Sequence, residues 1–179
     1  MRKNLIITLL LAIAFTFSVA ADDPSASFNV STSISAINNM KISNTEVTPT
    51  TFGDASTTFS GTVAIIATGE DANMDSSGAI DLTAYISTLS NNRNGYSITM
   101  SATPLSSDGA TINYTVTVNN VTFATKSETN PKTILTVESL SELDTESLPI
   151  SVMVVRSEYD SAVQGTYTGT VTFNYVAAN

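Results

Sequence analysis

Apolar residues recur at every second position along most of this chain. Such alternation places one row of side chains on each face of an extended strand. Phe28, Val30, Ile34 and Ala36 share one face of residues 26–36, with Thr32 the only polar residue in that row. A short stretch around Met40 and Ile42 follows. Residues 57–68 align Phe59, Gly61, Val63, Ile65 and Ala67, and residues 79–87 align Ile80, Leu82, Ala84 and Ile86. Residues 96–102 align Tyr96, Ile98, Met100 and Ala102, and residues 111–119 align Ile112, Tyr114, Val116 and Val118. Asn119-Asn120 then predicts a tight hairpin turn into Val121 and Phe123. A brief apolar patch at 134–137, a strand through Ile150, Val152 and Val154, and a closing run at 167–176 complete the pattern. The closing run aligns Tyr167, Gly169, Val171, Phe173 and Tyr175.

This pattern predicts seven to nine strands. Only residues 139–147 read otherwise: Leu140, Leu143 and Ser147 fall at helical spacing, consistent with one helical turn or a loop that Pro149 ends. Alternation with a single apolar face suits antiparallel sheets that bury one side. The expected fold is therefore all-β, an immunoglobulin-like antiparallel β-sandwich. A closed barrel is the second solution to the same pattern. No internal repeat and no Pro-rich or Gly-rich linker divides the chain.

The beginning of the chain adds a different signal. Arg2 and Lys3 precede an apolar run from Leu5 to Phe17 that only Thr8 and Thr16 interrupt, and Ser18-Val19-Ala20 has the small-x-small form cut by signal peptidase. Residues 1–20 are thus read as a cleaved signal peptide, 21–36 as an N-terminal strand and 37–179 as the sandwich. Cleavage leaves 159 of the 179 residues, enough for one hydrophobic core. The apolar run is too short, and too soon followed by polar residues, to be a membrane span, and no later segment is long and apolar enough to be one. The reading is an exported protein, in the periplasm in transit and then secreted or at the cell surface.

The signal stretch holds two of the seven basic residues and none of the sixteen acidic ones, leaving five against sixteen and a formal net charge of −11. Nucleic acid and anionic lipid need clustered Lys and Arg, so neither is an expected partner. The chain has no Cys, His or Trp. Ser-His and Cys-His nucleophiles cannot be built, and zinc loses its usual ligands. The protein is read as not an enzyme, with no cofactor called for beyond one candidate calcium loop. That loop is Asp71, Asn73 and Asp75 followed by Gly78 and Asp81, oxygen donors at alternating positions with a Gly bend. The spacing departs from the helix–loop–helix calcium loop, because Gly78 comes two residues late and no Glu closes it. A solvated turn accounts for the same residues. Glu138, Glu142 and Glu146 recur every four residues, which on a helix is a wet face of mildly repelling charges. The six tyrosines could stack on sugars, but four of them lie on apolar strand faces, where packing with the hydroxyl at the rim explains them.

Three stretches carry a likeness to a known family. They are Tyr96-Ser97-Ile98-Thr99-Met100-Ser101-Ala102-Thr103-Pro104-Leu105, the hairpin from Ile112 through Asn119-Asn120 to Thr125, and the closing Gly165-Thr166-Tyr167-Thr168-Gly169-Thr170-Val171-Thr172-Phe173. In these, and in lacking Cys, the chain resembles the major subunits of chaperone–usher fimbriae, above all the alpha-class colonisation-factor pilins. The resemblance implies a sandwich short of one strand. A periplasmic chaperone fills the gap first, and the N-terminal strand of the next subunit replaces it at an outer-membrane usher. It assigns Phe28, Val30, Thr32 and Ile34 as donor side chains, and Val171 and Phe173 to the acceptor groove. The implied function is a structural subunit of a surface fibre, a self-polymer serving adhesion. The alternative is a self-contained secreted or surface β-sandwich with a binding or structural role. In that case residues 26–36 pair within their own sheet.

Overall fold

The computed structural model describes residues 29–47 and 74–179. The chain divides into two compact units, Met1–Ser35 and Ala36–Asn179. In the first, residues 29–35 form no regular element. The second is mostly strand: β1 (Asn38–Ser43), β2 (Tyr85–Ser90), β3 (Tyr96–Ala102), β4 (Leu105–Ser107), β5 (Ala110–Ile112), β6 (Tyr114–Val118), β7 (Val121–Ala124), β8 (Lys132–Val137), β9 (Asp144–Val154) and β10 (Val171–Ala177). One helical turn and a half, α1 (Arg156–Asp160), follows β9. No described helix is long and apolar enough to cross a membrane.

Every ladder is antiparallel. A five-stranded sheet runs β1-β2-β9-β6-β7, a three-stranded sheet runs β10-β3-β8, and β4-β5 is a separate hairpin. The two larger sheets bury a common core. Ile86, Val116, Val118, Phe123, Val152 and Val154 come from the first sheet, and Tyr96, Ile98, Met100, Ile134 and Phe173 from the second. Each such side chain removed from water stabilises the fold by about 1.5–3 kcal/mol before ordering costs. The result is a sandwich-like all-β unit whose strands alternate inward apolar and outward polar residues.

One flank of the sandwich is pinned by side chains. The β6–β7 turn has both central residues at positive φ, Asn119 at 49° and Asn120 at 60°, the twist that two-residue hairpins favour. From that turn the Asn119 amide donates to the Ile134 carbonyl at 2.8 Å, and Lys132 Nζ on β8 donates to the Thr122 carbonyl on β7 at 2.8 Å. These bonds tie the edge strand of one sheet to the edge strand of the other.

The predicted elements are recovered unevenly. The strand at 96–102 and the Asn119-Asn120 hairpin stand as read. The run at 111–119 is two strands, because the Asn113 N–H leaves the ladder to bond Glu158 Oε2 at 2.7 Å. The run at 79–87 joins β9 only at isolated points before β2 begins. Ile80 N–H reaches Val152 O while Ile150 N–H reaches Ala84 O, so residues 81–83 arch away from the ladder. Residues 139–147 contain no helix: β9 starts at Asp144 and continues through Pro149, opposite Tyr85. The closing strand begins at Val171, with Thr168 making only an isolated bridge to Ser106. Residues 29–36 form no strand; the first described strand is β1, around Met40 and Ile42. The predicted strand at 57–68 lies outside the described residues.

Candidate functional site

The family resemblance named donor side chains in the N-terminal segment and acceptor residues in the closing strand. Of the donor residues, Phe28 lies outside the described residues. Val30, Thr32 and Ile34 are solvent-exposed, Val30 and Ile34 at 72% each. Two large apolar side chains at that exposure, two turns of the alternation apart, are an unburied hydrophobic row.

Val171 and Phe173, named as acceptors, lie on β10, which stands at the edge of its sheet among the described residues. Val171, Phe173 and Tyr175 face the core, with Phe173 only 8% exposed. Backbone polarity along β10 follows from the bonds at its two ends. Thr103 N–H donates to Thr170 O, and Ala178 N–H donates to Gly95 O. In an antiparallel ladder such bonded positions alternate, so the even-numbered residues spend their N–H and C=O groups on β3. The backbone groups of Val171, Phe173, Tyr175 and Ala177 therefore point to the opposite edge, where no strand pairs with them among the described residues. Those same residues send their side chains inward. A strand added to this edge would gain ladder bonds from Val171, Phe173 and Tyr175 and share the core face with them.

One end of this edge is closed by a polar clasp. The Tyr175 ring stacks on Tyr96, centroids 4.9 Å apart and planes 18° from parallel. Tyr175 Oη donates to Asn38 Oδ1 at 2.8 Å and lies 3.0 Å from Ser90 Oγ, linking β10 to β1 and β2. Tyr96 Oη donates to Asp144 Oδ2 at 2.9 Å and pairs with Thr88 Oγ1, also at 2.9 Å. Asp144 and Glu146 stand opposite Ser90 and Thr88 in the β2–β9 register. Both strands thus place polar groups at this end of the inner face. Burial raises the Tyr96 and Tyr175 hydroxyl pKa values, and burial together with the Asp144 charge raises that of Glu146. Sequence reasoning missed Asn38, Ser90 and Asp144. The only sequence signal for them is the inward phase of Tyr96 and Tyr175, whose hydroxyls require partners when buried.

Asp71 and Asn73 lie outside the described residues. Asp75 Oδ1 accepts from the Ser77 hydroxyl at 2.6 Å and from the Ser77 and Ala79 N–H groups, which lowers its pKa. Asp81 is exposed on the arch beyond it. Among the described residues no three acidic groups gather to hold a metal. Glu138, Glu142 and Glu146 form no helical stripe: the first two are in exposed irregular chain and Glu146 is on β9. Of the tyrosines, Tyr114 is buried in the core, its hydroxyl pKa pushed up to about 12 by burial. Tyr159 packs against the core and has the Arg156 guanidinium 5.5 Å from its ring centre. A second polar node escaped sequence reading. Glu158 on α1 accepts from the Asn113 N–H and amide and pairs with Lys126 at 2.9 Å, tying the helix to the β5–β6 junction.

Comparison with family models, curated proteins and solved structures finds no match to this chain.

Proposed function

We propose that the chain is a structural subunit of an exported surface fibre, serving adhesion, in which the N-terminal segment of one copy completes the sheet of the next. The observation that carries this reading is the phase of β10. Its backbone groups left unpaired among the described residues and its inward side chains belong to the same residues, so one added strand satisfies both at once. The strand order supports an immunoglobulin-like sandwich short of a strand. β1-β2-β9-β6 follows the A-B-E-D order, β3 and β10 follow the C-F pairing, and among the described residues no strand takes the G place beside F. Phe28, Val30 and Ile34 supply the apolar row, with Thr32 between them, and Val171 and Phe173 receive it. Burying three such side chains contributes about 5–8 kcal/mol before ordering costs. A periplasmic chaperone and an outer-membrane usher are the partners this assembly requires, and the signal peptide supplies export.

The test is deletion of residues 25–36 from the mature chain. Sizing of the intact mature protein should show multimers, and the deletion should abolish them while leaving a folded β unit by circular dichroism. A stable intact monomer that the deletion unfolds would establish the self-contained sandwich instead.

A further inference from the structure

Resting on that reading, we infer that the Tyr175 clasp sets the register of the added strand: the residue seated beside Tyr175 must be small, and large apolar side chains are accepted only beside Val171 and Phe173. At the Tyr175 level the inner face is filled. The ring is held against Tyr96, and its hydroxyl is fixed to Asn38 and Ser90. A Leu or Phe from an incoming strand would have to break those bonds or separate the stack. At the Phe173 and Val171 levels the surroundings are apolar, with Met40 and Ile42 of β1 also half-buried against the core.

The donor row supplies a small residue at each end, Ala26 and Ala36. The two settings differ in the pairs they make deeper in the groove. With Ala26 beside Tyr175 and the strands antiparallel, Phe28 sits beside Phe173 and Val30 beside Val171, two apolar pairs. With Ala36 beside Tyr175 and the strands parallel, Ile34 sits beside Phe173 but Thr32 falls beside Val171, putting a hydroxyl on the apolar floor. The occupant is therefore the row from Ala26 to Ile34 of a second copy, running antiparallel to β10, with Thr32 and Ile34 carried past Val171 to the levels of Gly169 and the core-packed Tyr167.

This register places Ser27 opposite Asn174 and Asn29 opposite Thr172, all with side chains on the outward face. Because the even positions of β10 bond to β3, these cross-copy pairs are of the non-hydrogen-bonded kind, about 4.5 Å between Cα atoms, which suits a disulfide. The chain has no Cys, so engineered pairs report alone. Mature protein carrying Ser27→Cys with Asn174→Cys, or Asn29→Cys with Thr172→Cys, should give a ladder of disulfide-linked multimers on mild oxidation. Ser35→Cys with Asn174→Cys should not. A ladder from the 35/174 pair alone overturns the register but leaves strand donation standing. Multimers that persist with none of the three pairs linked do the same. A link within a monomer, or no multimer from any variant or from the unaltered protein, overturns donation itself. As a second readout, Ala26→Leu should slow assembly about tenfold through overpacking beside Tyr175. Thr32→Leu should not slow it. Equal rates for the two substitutions would refute a size limit at the clasp.

Discussion

Tyr96→Phe isolates a buried polar contact between the two larger sheets. The ring is 1% exposed, and the hydroxyl meets Thr88 Oγ1, itself fully buried, and Asp144 Oδ2 on the neighbouring strand. Phenylalanine keeps the ring volume and the stacking on Tyr175, so cavity terms are small and the change reads the hydroxyl. Leaving a buried hydroxyl without its partner costs about 1–3 kcal/mol. The bond to Asp144 adds less, because the half-exposed carboxylate can turn to water. The expected loss is about 2–3 kcal/mol, which for a unit of this size lowers Tm by roughly 4–12 °C.

Urea unfolding of the mature protein, followed by circular dichroism, measures this directly. The midpoint should fall while the m-value stays constant, since no change in exposed surface is involved. A double-mutant cycle with Thr88→Val sharpens the result. Replacing both hydroxyl-bearing partners by apolar groups leaves nothing unsatisfied between them, so the double variant should lose less than the sum of the singles, by at least about 0.5 kcal/mol. A Tyr96→Phe protein within about 0.5 kcal/mol of the parent would show that the Thr88–Tyr96–Asp144 chain contributes nothing to stability, and strict additivity in the cycle would show that the Thr88 and Tyr96 hydroxyls are not coupled.

Two glycines at positive φ should respond very differently to Ala. At Gly78 (φ +94°) a Cβ would collide with the Val154 carbonyl, whereas at Gly109 (φ +86°) it meets open space. Gly78→Ala should cost at least about 3 kcal/mol, and Gly109→Ala only the intrinsic left-handed penalty of about 1–2 kcal/mol, in the same urea assay. Glu146 should give the protein an acid-side stability gain. Its folded pKa is raised above 4.5 by burial and by Asp144. The folded state therefore holds this proton more tightly than the unfolded chain does, and the stabilisation is complete below 4.5 and lost as pH rises through the raised value. Glu146→Gln should remove that decline. An unchanged pH profile in the variant would assign the slope to other carboxylates.

Where the chain was legible, local pattern and tertiary demand agreed. Residues 96–102 alternate without exception because β3 is flanked on both sides by β10 and β8 and buries one face fully. The Asn119-Asn120 turn was readable because Asn tolerates the positive φ that both positions adopt. Legibility failed where the inner face turns polar. β9 opens with Asp144 and Glu146 pointing the same way as Leu148 and Ile150, so its first turn of alternation carries charge where an apolar residue was expected. The coincident four-residue spacing of Glu138, Glu142 and Glu146 then imitated a helix face. The partner that makes Asp144 tolerable, Tyr96, is 48 residues away in sequence, out of reach of any local window. The same separation hid the clasp: Tyr175 meets Asn38 across 137 positions. Sequence periodicity put Val171 and Phe173 on the inward face of the closing strand, because that depends only on phase along one strand. It missed the polar contacts around Tyr175, because they are assembled from β1, β2, β3 and β9 together. The proposed register rests on this division. The donor row is uniform enough to slide in steps of two, and a polar stop at one end gives one setting a lower energy than its neighbours.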